Sequence, residues 1–127
     1  MNGALTKSEW AVMEALWEKS PEPLSNVIKA MGNTVSWGYR TYATHLNKLS
    51  DKGAVGFELD RGDKMYYPLV TRDDCIKQES QAMFDKVTSR TAKDLLLCMI
   101  KEGGLTQRDH EELRNLLEKL VKEGEEK

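Results

Sequence analysis

The sequence predicts a mostly helical protein in which three helices and a β-hairpin precede three further helices. Apolar residues in the first part of the chain recur at intervals of three and four positions, which is the spacing of one helical face. Between residues 55 and 67 the interval shortens to two, as in a strand whose two sides differ. After residue 71 the helical interval returns and runs through a leucine-rich stretch. The order of these patterns defines the predicted fold class.

The first helix is predicted from a capping box. Thr6 is followed three positions later by Glu9, so that each side chain can accept a hydrogen bond from the backbone amide of the other residue. An apolar stripe then runs from Trp10 to Trp17. The proline-containing segment 20–23 ends this helix, because proline lacks the amide hydrogen that a helix uses.

Two more helices are predicted, over about 24–31 and about 38–52, and each is followed by a glycine, the residue most often found just after a helix end. The third helix has two different sides. Its inward stripe is predicted to consist of Tyr42, His45 or Leu46, and Leu49. Its outward side carries polar and cationic residues, which is typical of a helix with one exposed face.

A β-hairpin is predicted after the third helix. Val55, Phe57 and Leu59 alternate with other residue types, and a turn-forming sequence at 60–63 precedes a second short strand. Three helices followed by a hairpin are the order of a winged helix-turn-helix module. We therefore expect residues 1–70 to form a DNA-binding domain with the hairpin as its wing.

Residues 71–127 are predicted to form a dimerisation domain of three amphipathic helices, the second of them over about 91–101. A segment of this size buries little apolar surface by itself, and the leucine stripe of its last helix is richer than a solvated helix needs. Two copies of the chain would bury this stripe together. The alternative is that these helices pack back against the N-terminal module. The expected dimer contacts are Phe84, Leu96, Ile100, Leu113, Leu116, Leu117 and Leu120.

The charge balance gives no general attraction to DNA. The net charge is −2, and residues 1–70 hold eight Lys or Arg against eight Asp or Glu. A sequence-specific binder nevertheless needs positive charge only on its contacting face. The same balance leaves open a winged-helix module that binds another protein. Affinity that falls steeply with salt would distinguish DNA binding from this alternative.

The outward side of the third helix has the residue types that read DNA. An α-helix fits the major groove, and Thr41, Thr44 and Lys48 share one face because of their spacing. Arginine and asparagine recognise guanine and adenine, while other cations bind phosphate. A merely solvated surface is the alternative, and Asp60 and Asp63 on the wing would repel phosphate. The candidate DNA contacts are Tyr39, Arg40, Thr41, Thr44, Asn47, Lys48 and Lys52 on the helix, and Arg61 and Lys64 on the wing.

Catalytic residues, a bound metal and a cofactor are not expected. His45 and His110 lack partners at the spacing of metal ligands, and no nucleophile is paired with a base. Cys75 and Cys98 are far apart and are predicted to be reduced, with a thiol- or metal-responsive regulator as the alternative. No apolar run reaches the roughly 18 residues of a membrane span, and no signal peptide is recognisable. We expect a cytoplasmic protein without a membrane partner.

Several stretches resemble known bacterial regulators. They are LTKSEWAVM at 5–13, RTYATHLNKL at 40–49, KGA at 52–54, RG at 61–62 and YYP at 66–68. Together they resemble the penicillinase and methicillin-resistance repressors of the BlaI/MecI type, to which the copper-responsive CopY repressors are related. This resemblance spans nearly the whole chain. It implies a homodimer that represses transcription by binding double-stranded operator DNA of two-fold symmetry.

The resemblance also assigns residues, and the sequence departs from it in places. By position it implies recognition-helix contacts from Arg40, Thr41, Thr44 and Lys48. The β-lactam-responsive members are cut at an Asn-Phe bond, where this chain has Cys98-Met99. The copper-responsive members carry a cysteine-rich motif near the C-terminus, whereas residues 120–127 contain no cysteine. The inducing protease or other signal is therefore left open.

Overall fold

The computed structural model describes residues 1–125, within which six helices and two strands follow one another in the predicted order. They are α1 (Lys7–Glu18), α2 (Leu24–Met31), α3 (Tyr39–Asp51), β1 (Val55–Asp60), β2 (Asp63–Pro68), α4 (Arg72–Lys86), α5 (Ser89–Glu102) and α6 (Gln107–Glu125). The chain divides into two compact units, the N-terminal unit Met1–Gln81 and the C-terminal unit Ala82–Lys127. The division lies inside α4, further along the chain than residue 70, because the first turn of α4 adds the buried Cys75 to the first core.

α1 begins with the capping box that the sequence predicts. The Thr6 hydroxyl accepts a hydrogen bond from the Glu9 amide at 3.2 Å, and the Glu9 carboxylate accepts one from the Thr6 amide at 2.9 Å. Beyond the cap, Val12, Met13 and Leu16 are fully buried where α1 packs against α2, α3 and β2. Burial of each such side chain contributes roughly 1.5–3 kcal/mol. This side of α1 is therefore the centre of the N-terminal core.

α2 and α3 complete that core from the other side. Val27 and Met31 are buried on α2. On α3 the buried stripe is Tyr42, Leu46 and Leu49, so the predicted inward stripe is confirmed with Leu46 rather than His45 as its middle member. α3 begins after Gly38 and ends before Lys52, one residue inside each predicted bound.

The hairpin has the geometry of a wing. β1 and β2 pair antiparallel, with Val55 opposite Pro68 and Asp60 opposite Asp63. Arg61 and Gly62 make the two-residue connection and both have positive φ, 53° and 87°, as in the turns that suit the twist of paired strands. The hairpin is buried at its base and exposed towards its tip.

Long-range hydrogen bonds join the hairpin, and the residues that follow it, to the helical part of the N-terminal unit. Glu22, between α1 and α2, exchanges backbone hydrogen bonds of 2.9 and 2.8 Å with Tyr66 of β2. The indole nitrogen of Trp17 donates to the Val70 carbonyl at 2.9 Å. These contacts join segments far apart in sequence: β2 is bound to the segment between α1 and α2, and the residues after β2 are bound to α1.

The C-terminal unit is organised differently. α5 begins at Ser89, earlier than the predicted residue 91, because the Thr88 hydroxyl accepts from the Thr91 amide and caps the helix. α6 is capped by Thr106, which exchanges hydrogen bonds with Asp109 at 3.0 and 3.1 Å. Within the described residues, neither α5 nor α6 has a buried side chain. The helices are thus well delimited, but their apolar side is uncovered in the single chain.

Candidate nucleic-acid interface

The polar side of α3 is fully presented to solvent. Besides Tyr39, five of its predicted contact residues are exposed, while the stripe on its opposite side is buried at 1% exposure or less. None of the five forms a side-chain hydrogen bond or ion pair within residues 1–125, so their polar groups are free to bind a ligand. The five are Arg40, Thr41, Thr44, Asn47 and Lys48.

The charge around α3 differs from that of the whole chain. From Pro23 to Ser50 the sequence contains no Asp or Glu, and its cations are Lys29, Arg40 and Lys48. The net charge of −2 therefore comes from residues outside this segment. The charge count over residues 1–70 as a whole did not show this segment without acidic residues, although it can be found in the sequence. It gives the helix-turn-helix segment a positive potential that suits a polyanion.

The wing contributes cations in a more mixed setting. Arg61 is exposed at the tip, flanked by the paired Asp60 and Asp63. The Lys64 ammonium lies 4.6 Å from the centre of the Phe57 ring, within the range of a cation–π contact. This contact orients Lys64 before any ligand binds, whereas Arg61 has no such restraint.

Tyr39 lies in the first turn of α3 and is 68% exposed. Burial raises the pKa of the Tyr66 hydroxyl, and the nearby Tyr39 phenol raises that pKa further. Tyr39 is therefore an exposed phenol at the start of α3. From there a phenol can reach a phosphate or stack locally.

Lys52, a predicted phosphate contact, is placed differently from the other cations. Its side chain is 25% exposed, and its Nζ lies 2.5 Å from Glu9 Oε1 and 2.9 Å from the Ala4 carbonyl oxygen. The ammonium is thus directed to two acceptors within the N-terminal unit. The phosphate contact stays a prediction. No local sequence pattern indicates these partners, because they lie more than 40 positions away.

Aromatic packing holds the start of α3. The Trp37 ring lies 5.2 Å from the Tyr42 ring and 4.7 Å from the His45 ring, centre to centre. His45 Nδ1 is buried and has no hydrogen-bond partner among the described residues. His45 therefore packs the loop before α3 against the helix.

The two thiols have different environments, and no metal site accompanies them. Cys75 is 2% exposed, and burial raises the pKa of its thiol, with Asp74 adding to the effect. Cys98 is exposed, with its sulfur 3.6 Å from a Glu102 carboxylate oxygen.

Over residues 1–125, no group of three His, Cys, Asp or Glu side chains is placed to hold a metal ion. The same part of the chain has no helix with the length and apolar character of a membrane span.

The C-terminal unit exposes a broad apolar surface. A cleft of 780 Å³ between α5 and α6 brings together three predicted dimer residues, Ile100, Leu113 and Leu117. The other four, which do not line it, are exposed in the single chain: Phe84, Leu96, Leu116 and Leu120. Exposed apolar residues that the prediction omitted are Leu95, Leu97, Met99 and Val121. Val121 follows Leu117 by one helical turn on α6 and could have been read from that spacing.

Comparison with known proteins agrees with this geometry. The profile of a family described as penicillinase repressor matches residues 5–119. The chain belongs to this family. It is 30% identical over 115 residues to the methicillin resistance regulatory protein MecI of Staphylococcus aureus (strain N315), covering 91% of this chain and 94% of MecI. It is 25% identical over 114 residues to the penicillinase repressor of Bacillus licheniformis, covering 90% and 89% of the two chains.

A solved structure supports the N-terminal fold. The solution structure of the DNA-binding domain of the repressor BlaI superposes with a TM-score of 0.52 and 28% identity, covering 58% of this chain and 93% of that domain. The winged-helix fold class is therefore confirmed. Members of the penicillinase repressor family are DNA-binding transcriptional repressors rather than enzymes, and this chain is accordingly a DNA-binding repressor.

Proposed function

We propose that the chain represses transcription in the bacterial cytoplasm by binding, as a homodimer, an operator of two-fold symmetry. One observation carries this proposal: the exposed side of α3 presents five polar side chains without internal partners. Their spacing of three and four positions places Thr41, Thr44 and Lys48 on one face. A rigid helix with such a face fits the major groove.

The contact residues divide by chemistry. Arg40 can donate two hydrogen bonds to guanine, and Asn47 can pair with adenine. Thr41 and Thr44 lie between them and have both a hydroxyl and a methyl group, which suits a mixed base edge. Lys48 lies further along α3, where a cation serves phosphate. The proposal therefore gives sequence reading to the part of the exposed face that precedes Lys48.

The wing and Tyr39 supply supporting contacts in this proposal. Arg61 at the tip has a free guanidinium for the adjacent backbone or minor groove, and Lys64, oriented by Phe57, binds phosphate. Tyr39 donates its hydroxyl to a phosphate. Asp60 and Asp63 limit the wing's attraction for DNA, so we expect these contacts to contribute less than α3 does.

The homodimer is supported by the uncovered apolar side of the C-terminal unit. Leu96, Leu117 and Leu120 are each more than half exposed, and a monomeric protein rarely leaves an apolar patch of this kind in water. A second copy of the same surface covers it with a two-fold axis. Two linked DNA-binding units then bind the two halves of a symmetric operator, which raises affinity through effective concentration.

Selection from genomic DNA tests the proposal. Purified protein is mixed with fragmented DNA from its source, washed at increasing salt, and the retained fragments are sequenced. We expect enrichment of a few palindromic promoter sites. Arg40→Ala should weaken that enrichment, whereas Lys93→Ala, which removes an exposed cation from α5, should not. A wild-type protein that retains only salt-labile, unspecific DNA would contradict the proposal and favour a protein-contacting module, which the net charge of −2 would suit.

A further inference from the structure

A cluster at the far end of α3 joins three segments of the N-terminal unit. Lys52 lies at the C-cap of α3. Its ammonium donates to the Ala4 carbonyl at 2.9 Å and to Glu9 Oε1 at 2.5 Å. Its own carbonyl accepts a hydrogen bond of 2.7 Å from the Asn2 amide. The N-terminal segment therefore lies across the end of α3 and is tied to it by both the backbone and the side chain of Lys52.

The anionic partner in this cluster is almost completely buried. Glu9 is 1% exposed, while the Lys52 side chain is 25% exposed. Glu9 Oε1 also accepts from the Thr6 amide, but Oε2 is buried without a partner among residues 1–125. A buried carboxylate is strongly disfavoured unless a cation compensates it. The ammonium of Lys52 is the cation that does so, and this fixes where the end of α3 can lie relative to α1.

The cluster is at the opposite end of α3 from Arg40 and Thr44, two of the residues proposed to read bases. Arg40 and Thr44 lie in its first two turns, whereas Lys52 follows its last residue. The start of the helix is packed by Trp37. With both ends held, the axis of α3 is fixed against the rest of the unit. Small errors in the placement of a recognition surface are costly, because base contacts have narrow geometric limits.

We propose that Lys52 is a positioning residue for operator binding and not a phosphate ligand: with Glu9 and the segment 2–4, it sets the orientation of α3. This inference rests on the proposed function of α3 in operator binding. It differs from the sequence-based expectation, in which the Lys52 ammonium binds DNA directly. Lys48, one turn earlier and exposed, keeps the phosphate role.

Salt dependence separates the two roles. A lysine that binds phosphate releases counterions, so its removal makes the slope of log K against log salt less steep by about 0.9 for each contact. A positioning lysine neutralises no phosphate, so its removal leaves the number of counterions released from the DNA unchanged. Lys52→Met should therefore weaken operator binding about tenfold with an unchanged salt slope. The matched control Lys48→Met should weaken binding and reduce the slope by about one unit per half-site.

Two further variants keep the test decisive if Lys52→Met folds poorly. Glu9→Gln with Lys52→Met removes both charges, so no buried carboxylate is left without a cation. We expect this double variant to unfold at a temperature closer to that of the wild type, yet to keep the weaker operator binding. Lys52→Arg, which retains a cation, should recover most of the affinity. Folding is checked by circular dichroism at the assay temperature.

The outcomes distinguish failure of the inference from failure of the proposed function. A wild-type chain that selects no operator overturns both. If the wild type binds, a folded double variant with wild-type affinity shows a purely structural cluster and overturns only the positioning role. A reduced salt slope in Lys52→Met shows a phosphate contact and also overturns it. Weaker binding at an unchanged slope, with recovery in Lys52→Arg, supports the inference.

Discussion

The two units of the chain differ in how far they bury their apolar side chains. The N-terminal unit collects side chains from α1, α2, α3 and the hairpin into one core, in which Val12, Leu16 and Leu49 have no exposed surface. In the C-terminal unit, α5 and α6 contain no buried residue within the described range. The first unit is therefore complete as a single copy. The second unit is rich in leucine, as a core would be, but its apolar side chains are left exposed.

The largest expected effect follows from the completed core. Leu16→Ala removes a fully buried side chain and should lower the free energy of unfolding by about 2–5 kcal/mol. Leu117→Ala makes the same change at a residue that is 59% exposed. Its effect at high dilution should be below about 1 kcal/mol. Denaturant unfolding of both variants gives the comparison, and equal losses at high dilution would show that α6 is covered within the single chain.

The next prediction concerns the uncovered surface. Leu117→Glu places a charge in the apolar cleft and should convert the proposed dimer to a monomer in sedimentation at micromolar concentration. Operator binding should weaken by about 100-fold, because the second half-site no longer adds its effective concentration. Asn115→Glu adds the same charge on the opposite side of α6 and serves as the control. A wild-type monomer, or a dimer unaffected by Leu117→Glu, would contradict the proposed interface.

Local sequence signals predicted much of the N-terminal unit. The capping box of Thr6 and Glu9, the buried stripe of α3 and the turn at Gly62 each depend on neighbours within four positions. The tie between Glu9 and Lys52 spans 43 positions, and both residues look like ordinary surface charges in the sequence. Their pairing follows from how α1 and α3 pack, which no local pattern contains. The apolar side of α6 could be predicted from the spacing of its leucines, as the stripe of α3 could. The surface that covers this side of α6 could not be predicted from that spacing.

A smaller effect is expected at the proposed reading face. Arg40→Ala and Thr44→Ala remove exposed side chains and should leave the unfolding free energy unchanged within about 0.5 kcal/mol. Each should weaken operator binding by roughly 1–3 kcal/mol and relax selectivity at one base position. Binding to a panel of single-base operator variants measures both effects. Wild-type affinity in both variants would show that this side of α3 is only solvated.

Low pH should reduce the unfolding free energy of the N-terminal unit, because the Glu9 carboxylate becomes protonated. Burial by itself would raise the pKa of this carboxyl, but the hydrogen bonds from Lys52 and Thr6 outweigh it and hold the pKa below the ordinary value of 4.5. The resulting stability is present above about pH 4.5 and is lost as the pH falls through the lower, folded-state pKa. Wild-type unfolding free energy should therefore fall more steeply than that of Glu9→Gln below pH 4.5. Parallel curves would show that Glu9 is not the group responsible.

The smallest effect is expected from chemical labelling of the two cysteines, one in each unit, whose reaction rates with a thiol reagent should differ. Cys75 is buried in the first core and its pKa is raised by that burial, so it should react with a thiol reagent only when the protein unfolds. Cys98 is exposed on α5 and should react in the native state. Counting modified thiols by mass spectrometry, with Cys75→Ala and Cys98→Ala as references, assigns each rate. Rapid native labelling of Cys75 would mean that the first turn of α4 opens readily. Labelling of Cys98 that slows as protein concentration rises would place this residue at the surface that a second copy covers.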